Sequence, residues 1–266
     1  MNLNNIREGE LKEVFDALEE AFVSKHVNFY LIGALAKDVW YSMGDKVMRT
    51  TRDVDFAVMI SNKADYEEVR KYLVDKKGFQ YQKSNDFILI SPSGVEIDIL
   101  PFGAVDINED IKVNGFMEVY KSGTTELTLQ TGHHFNIATL PSIVLLKLIA
   151  FDDRPENRFK DPRDIINIIF HFFDLQAELI YSHHSDLLAG AEISLEKISA
   201  TVIGREIKKT IEENEELYSR VKEILKIHLK KKETSAFIRA MVEEADSNVE
   251  NVMELIIALS NGLNRG

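Results

Sequence analysis

The chain has 266 residues, 45% of them hydrophobic, and its 32 Lys and Arg against 44 Asp and Glu give a formal net charge of −12. This composition is that of an ordinary globular protein, and the length accommodates one large domain or two modest ones. Because the chain contains no cysteine, disulfides, thiolate metal sites and cysteine nucleophiles are excluded. The excess of acidic residues argues against broad, nonspecific nucleic-acid binding, which needs a basic face.

The apolar runs are far shorter than the roughly 20 residues that a membrane-spanning helix requires. Residues Met1 to Asn5 show neither the basic nor the apolar part of a secretory signal. We therefore expect a cytoplasmic protein with no membrane partner. The basic segment Lys226 to Lys232 (KIHLKKK) falls on a predicted helix and is interpreted as a solvated helix face.

The first 138 residues mix helix and strand signals, whereas the residues after Pro141 carry helical signals only. Strands are predicted over 28–32, 52–60, 79–83, 87–91, 95–100, 116–120 and 126–129. Helices are predicted over 11–22, 34–43, 63–77, 141–152, 162–181, 192–203, 205–229, 234–245 and 248–262. The fold class is therefore α+β, with a mixed-sheet domain over 1–138 and a helical domain over 139–266.

Acidic residues alternate with apolar ones on two of the predicted strands. Residues two apart on a strand face the same way, so Asp53 and Asp55 project together, with their Cα atoms about 7 Å apart. Glu96 and Asp98 share a face of another strand in the same manner. If these strands are neighbours, three or four carboxylates converge, and hard divalent cations such as Mg²⁺ would relieve their repulsion. The alternative is a pair of ordinary half-exposed strands, on which acids alternate with apolar residues.

A glycine separates the first predicted strand from the helix after it. In the segment Phe29 to Ala36 the strand ends at Ile32, and the helix begins directly after Gly33. The backbone N–H groups of such a turn can meet a phosphate. Alternatively, the glycine serves only the tight turn.

Two charged features stand at the beginning of the helical half. Lys147 is the one charge in the apolar run 143–151, so its ammonium either reaches a cleft, where it can bind phosphate, or snorkels to the surface. Asp161 directly precedes Pro162 and stands three residues before Asp164, the pattern of a helix start with Asp161 as the N-cap. One residue can cap a helix and also face a site, so both interpretations stay open for Asp161.

The order of these features resembles the nucleotidyltransferase superfamily of the DNA polymerase beta type. Members of that superfamily have a glycine turn that opens a helix, an Asp-x-Asp strand and a third strand acid. The closer likeness is to the AbiEii-type toxin nucleotidyltransferases and covers about residues 28–170. The matching segments are Gly33-Ala34-Leu35-Ala36, Arg49-Thr50-Thr51-Arg52-Asp53-Val54-Asp55, Asp98, and the run from Lys147 through Ala150, Arg154, Arg158, Lys160 and Asp161 to Asp164.

The resemblance implies that residues 1–138 form a small nucleotidyltransferase core. The reaction it implies moves a nucleoside monophosphate from a nucleoside triphosphate to an acceptor hydroxyl by two-metal catalysis. Asp53, Asp55 and Asp98 would hold two Mg²⁺ ions, and Asp98 would also serve as, or position, the base that deprotonates the acceptor.

The resemblance also implies a set of contacts to the triphosphate. The amides of Gly33 and Ala34 would face the β- and γ-phosphates, with Arg52 as a further candidate contact. Lys147 would supply positive charge, placed by Asp161 or Asp164.

The identity of the acceptor stays open among an RNA, a protein and a small molecule such as an aminoglycoside. A toxin likeness further implies a cognate antitoxin as partner. Ala34 stands where many relatives have a second glycine or a hydroxyl side chain. That departure favours the alternative of a non-catalytic nucleotide- or protein-binding module, whereas the intact acidic triad opposes it.

Overall fold

The structure, a computed structural model, describes residues 8–44, 53–83, 85, 87–103, 114–128, 132, 134–189 and 194–265; of residues 8–11 and 53 it describes the backbone alone. The chain divides into two units. The first comprises Met1–Tyr120 and Thr124–Ala138, and the second comprises Lys121–Gly123 and Thr139–Gly266.

The first unit is built on a sheet of seven strands. These are β1 (Asn28–Ile32), β2 (Asp53–Ile60), β3 (Gln80–Tyr81), β4 (Ile88–Ile90), β5 (Glu96–Gly103), β6 (Thr124–Thr128) and β7 (His134–Ala138). The strand order is β3-β4-β5-β2-β1-β7-β6. In the centre of the sheet, β2 runs antiparallel to β1 and parallel to β5, and β1 runs parallel to β7.

Helices α1 (Glu8–Ser24), α2 (Gly33–Met43), α3 (Lys63–Lys77) and α4 (Phe116–Ser122) accompany these strands. The predicted helix 63–77 is confirmed with its bounds. The Asn62 side chain accepts a hydrogen bond from the Asp65 N–H at its start, and Gly78 ends it with φ +73° in the left-handed region.

Both faces of the sheet carry core residues. Five rings cluster on one face, with neighbouring centroids 4.5–6.5 Å apart: Phe15 and Phe22 of α1 with Phe29, Phe56 and Phe135 of the sheet. On the opposite face, the buried Tyr30 hydroxyl donates to the Phe116 carbonyl oxygen at 2.9 Å. The sheet is therefore packed on both sides, and its second face is acidic at one end and aromatic at the other.

Residues 116–120 form a helix, so the predicted strand there is wrong. Phe116 and Val119 are both buried, and their spacing of three is the helical period rather than the strand period of two. The aromatic residues of the segment favour a strand by propensity, and the burial of one helical face outweighs that preference. Strand β7 was not predicted.

In the second unit the described elements are all helical. They are α5 (Leu140–Asp153), α6 (Asp161–Leu175), α7 (Ala177–His183), α8 (Leu195–Ile211), α9 (Glu215–Lys231), α10 (Ala236–Ala245) and α11 (Val249–Arg265), with 3-10 turns at Ser185–Leu188 and Lys232–Thr234. Together with the mixed sheet of the first unit, these helices confirm the α+β fold class.

Three predicted helix boundaries in this unit are wrong. The segment 162–181 is two helices, because Gln176 leaves the helical region with φ −130° and ψ 30°. Helix α8 continues through Gly204, and the break falls at Asn214, whose side chain accepts from the Leu217 N–H and caps α9. Helix α11 likewise continues past Gly262.

Gly204 and Gly262, which lie at the ends of predicted helix ranges, are packing positions inside α8 and α11. A Cβ on Gly204 would lie 2.1 Å from the Leu259 carbonyl oxygen, and one on Gly262 would lie 2.0 Å from the Thr201 carbonyl oxygen. Helices α8 and α11 therefore cross with their backbones in contact, which only glycine allows. Among the described residues, no helix combines the length and hydropathy needed to cross a membrane.

Candidate active site

The strand register brings the acidic residues of β2 and β5 together. Asp55 is the direct partner of Asp98, and Asp53 is the partner of Glu96. Partners on adjacent strands lie about 4.8 Å apart and share a face of the sheet. The two acidic strands are therefore neighbours, which is the condition for their carboxylates to converge. Both Asp55 and Asp98 are half-buried.

The end of β1 lies at the same edge as these carboxylates. Because β1 is antiparallel to β2, its last residue Ile32 pairs with Asp55, and the chain then enters α2 at Gly33. Toward its C-terminal end, helix α2 is anchored by Trp40, whose Nε1 donates to the Ala138 carbonyl oxygen at 2.9 Å. The first turn of α2 therefore begins beside the acidic pair.

Gly33 gives the Asp55 carboxylate its space. Its φ is +71°, and a Cβ built on it would lie 1.9 Å from Asp55 Oδ2. Any other residue would combine left-handed strain with a displaced carboxylate. The N-terminus of a helix carries partial positive charge, which favours an anion placed there. The glycine thus does more than make a tight turn, since it lets a carboxylate approach the helix start.

The apolar side of the same strands fixes the acidic residues in place. Phe56, Ile97 and Ile99 alternate with Asp55 and Asp98 and are at most 1% exposed. In addition, the buried Tyr66 hydroxyl of α3 donates to the Ile99 carbonyl oxygen at 2.9 Å. A one-residue slip of either strand would bury its carboxylate on the wrong face, so the register is strongly specified.

The donor set at this edge fits a hard divalent cation. Carboxylate oxygens are the ligands that Mg²⁺ takes, and Asp55 and Asp98 supply them from adjacent positions. The side chain of Asp53, the third predicted ligand, and all of Arg49 and Arg52 lie outside the described residues. Within the described part of the chain, no three carboxylate or histidine side chains form a group that could hold a metal ion.

One partner at this edge was missed from the sequence. Gln82 Nε2 donates to Glu96 Oε1 at 3.3 Å, and Glu96 is the residue that pairs with Asp53. Nothing in the sequence around Gln82 indicates this contact, because it depends on the antiparallel pairing that sets β4 beside β5.

The remaining predicted site residues lie in the second unit, and the structure brings three of them together. Lys147 Nζ donates to Asp161 Oδ1 at 2.7 Å and to Asp164 Oδ2 at 2.8 Å. Arg158 Nε lies 4.0 Å from the other oxygen of Asp161. Placement of Lys147 by both aspartates is thus observed.

The two carboxylates determine the protonation state of Lys147. The side chain is only 13% exposed, and burial by itself would lower its pKa. The charges of Asp161 and Asp164, together with their hydrogen bonds, outweigh burial and raise the pKa above its ordinary value. The lysine is therefore a cation at neutral pH, inside a group whose three charges sum to −1.

The predicted N-cap of α6 is displaced by one residue. The Asp164 N–H bonds to the Lys160 carbonyl oxygen at 3.0 Å, so Lys160 is the cap, and Asp161 is the first helical residue. The Lys160 side chain makes no capping hydrogen bond to the described residues. The carboxylate of Asp161 is directed to Lys147, because a buried ammonium offers a stronger, charge-assisted hydrogen bond.

Comparisons of the sequence with known proteins found no match, and a comparison of the structure found a neighbour of low identity. No protein-family model and no curated protein matches the sequence. Among solved structures, the solution structure of the antibiotic-resistance factor ANT(2'')-Ia matches with a TM-score of 0.40 and 12% identity, over 68% of this chain and 96% of that one. The likeness to AbiEii-type toxin nucleotidyltransferases stays a prediction from the sequence motifs.

Proposed function

We propose that the chain is a nucleotidyltransferase, which moves a nucleoside monophosphate from a nucleoside triphosphate to an acceptor hydroxyl. The observation that carries this proposal is the in-register pair Asp55 and Asp98, with the helix start at Gly33 directly beside it. A carboxylate pair next to a helix N-terminus can hold cations and accept a phosphate chain in one place.

The residues that would hold two Mg²⁺ ions are Asp53, Asp55 and Asp98. When bound, such ions neutralise charge on the transferring phosphate and orient it for in-line displacement. Asp53 begins β2 two residues before Asp55, so the three acids come from alternate positions of β2 and from the β5 position that pairs with Asp55. The fit rests on the oxygen donors and on the space that Gly33 leaves.

The proposed reaction exchanges one bond at the α-phosphorus for another. The acceptor oxygen forms a bond to the α-phosphorus, and the bond from that phosphorus to the bridging oxygen breaks, so that pyrophosphate leaves with that oxygen. The acceptor proton passes to Asp98 or to a water that Asp98 holds. The backbone N–H groups at the start of α2, from Gly33 and Ala34, face the leaving phosphates.

The test is transfer of label from each α-labelled nucleoside triphosphate, with Mg²⁺, into total RNA, cell protein, the enzyme itself or an aminoglycoside. Asp55→Asn removes a ligand charge at nearly constant volume, so we expect a folded protein without transfer. Glu126→Gln is the matched control, because it makes the same kind of change at an exposed position of the same sheet. Transfer by Asp55→Asn at the wild-type rate would refute the proposal.

The fraction that receives the label identifies the acceptor class. RNA, protein and a small molecule are the three candidates. A cognate antitoxin is the further partner that we propose, and its binding should suppress any transfer observed. Triphosphate binding without transfer to any fraction would favour the non-catalytic module that Ala34 suggests.

A further inference from the structure

A group of lysines at the end of α9 is left unexplained by the proposed reaction. Lys226, Lys230, Lys231 and Lys232, with Ile227 among them, form what we call the α9 basic cluster. All five side chains are exposed. They occupy a segment with no acidic residue, in a chain whose net charge is −12.

Most of this positive charge is not neutralised within the described part of the protein. Lys226 Nζ pairs with Glu223 at 2.9 Å. The ammoniums of Lys230, Lys231 and Lys232 form no ion pair with any described residue. Lys226 and Lys230 are also four residues apart on the helix, an arrangement in which like charges repel.

Helix stability explains only part of the cluster. Lys230 and Lys231 lie in the last turn of α9, where cations interact favourably with the helix dipole. Lys232 lies beyond that turn, with φ +49° and ψ −128°, a backbone conformation that glycine adopts at much lower cost. The backbone conformation therefore disfavours lysine at position 232. A reason for lysine there is that its exposed ammonium can bind a negatively charged partner.

The cluster borders a cleft with an apolar floor. The cleft has a volume of about 710 Å³ and is lined by Ile227, the three lysines 230–232, Glu233 and Thr234. Ile227 is 37% exposed, and lysine stems add further apolar surface below their charged ends. A ligand that fits this surface carries negative charge around an apolar group.

We propose that the α9 basic cluster is a docking surface for an acidic segment of a partner protein that places an apolar anchor residue on Ile227. Charge complementarity favours an anionic partner, and the composition of the lining favours a protein over a nucleic acid. The cleft lining contains no aromatic ring on which a base can stack and no arginine for bidentate phosphate contacts.

The test uses the full chain and a labelled peptide in which a central leucine pair is flanked by glutamates. A second peptide has serines in place of the leucines, and an oligouridylate serves as the nucleic-acid probe. Binding is followed by fluorescence anisotropy. We expect the leucine peptide to bind most tightly and Lys230→Glu with Lys231→Glu to weaken it about tenfold, since several exposed charge pairs are lost.

The matched control is Lys71→Glu with Lys76→Glu on α3, which changes the net charge equally at exposed positions and should leave binding unchanged. Lys232→Gly distinguishes an effect on docking from an effect on folding. It should raise the melting temperature, because backbone strain is relieved, and still lower the affinity for the leucine peptide. Wild-type affinity in the cluster variants, equal binding of both peptides, or tighter binding of the oligouridylate would each overturn the proposal.

Discussion

At Gly33, the addition of a single Cβ atom should affect both stability and activity. Its missing Cβ is the space that the Asp55 carboxylate fills. In Gly33→Ala we expect unfolding free energy to fall by about 2 kcal/mol, from left-handed strain and the clash. Transfer should fall about 100-fold, because a displacement of about 1 Å at reacting groups has that effect. Denaturant unfolding and label transfer measure the two effects.

Gly94→Ala is the control for the backbone contribution. Gly94 also has positive φ, at +84°, but a Cβ there would meet no atom of the described residues within 4 Å. We expect a loss of about 1 kcal/mol of stability and full transfer activity. If the two alanine variants lost activity equally, the contact between Gly33 and Asp55 would not be the cause.

Lys147 is the second residue whose surroundings predict a large effect. Its replacement in Lys147→Met leaves the buried Asp161 and the half-buried Asp164 without this ammonium, a loss that costs about 3–5 kcal/mol in buried pairs. Adding Asp161→Asn and Asp164→Asn removes the two uncompensated charges and should recover most of the lost stability. Urea unfolding of the single and triple variants tests this. If Lys147→Met were as stable as the wild type, the contacts of Lys147 with Asp161 and Asp164 would contribute nothing to folding stability.

At the scale of elements, the crossing of α8 and α11 depends on two glycines. Each added Cβ would meet backbone of the other helix at about 2 Å, so the helices must separate. We expect Gly204→Ala and Gly262→Ala each to lower the free energy of unfolding by about 1–3 kcal/mol, although alanine favours helices. Asn261→Ala, an exposed neighbour on α11, should be neutral or slightly stabilising by the same measurement.

The packing of α9 against α5 and α10 contains an ionisable ring. His228 stacks on Phe237 with centroids 4.4 Å apart and meets Phe151 edge-on, and burial lowers its pKa from 6.5 to about 4. Between those values the unfolded chain binds the extra proton. Stability therefore falls as the pH decreases from about 6.5 to 4 and is unaffected by this group above that range.

We expect this histidine to account for about 1 kcal/mol of the decrease, after allowance for its partial exposure to solvent. Unfolding measured at several pH values in wild type and His228→Phe gives the difference. The phenylalanine variant should lose this part of the pH dependence and keep its ring contacts. An unchanged pH profile would show that another group controls it.

Elements with a single dominant pattern are predictable from the sequence, and elements that depend on packing are not. Helix α3 has its cap, its period and its terminal glycine in one segment, and β2 has a clear alternation. Gly204 and Gly262 look like helix ends, because a helix start or stop signal is local and a helix crossing is not. For the same reason α4 was mistaken for a strand, since only the contacts of Phe116 and Val119 identify its buried face.

At the scale of the whole molecule, the order of motifs predicts part of the candidate site. Gly33, Asp55 and Asp98 are far apart in sequence. The strand-to-helix turn identifies Gly33 as a candidate, and the alternation with apolar residues identifies Asp55 and Asp98. That they meet depends on β1 being antiparallel and β5 parallel to β2, which no local signal encodes. The protonation of Lys147 depends likewise on contacts between different helices.

If the acidic edge holds Mg²⁺, the ion should stabilise the whole chain. A ligand that binds only the folded state raises stability by about 2.7 kcal/mol at 100 times its dissociation constant. We expect Mg²⁺ to raise the melting temperature of the wild type and of Glu126→Gln, and a chelator to reverse the rise. Asp55→Asn should show no rise, and an equal shift in that variant would place the ion elsewhere.

The sheet order has a consequence for synthesis on the ribosome. Strand β1 lies between β2 and β7, and Tyr30 finds its partner Asn136 only about a hundred residues later in the chain. Until then one edge of β1 is unpaired, and such edges invite association between nascent chains. The acidic edge, by contrast, needs nothing beyond β5, which ends at Gly103. A growing chain therefore possesses the carboxylates of its candidate site well before it can close the sheet that supports them.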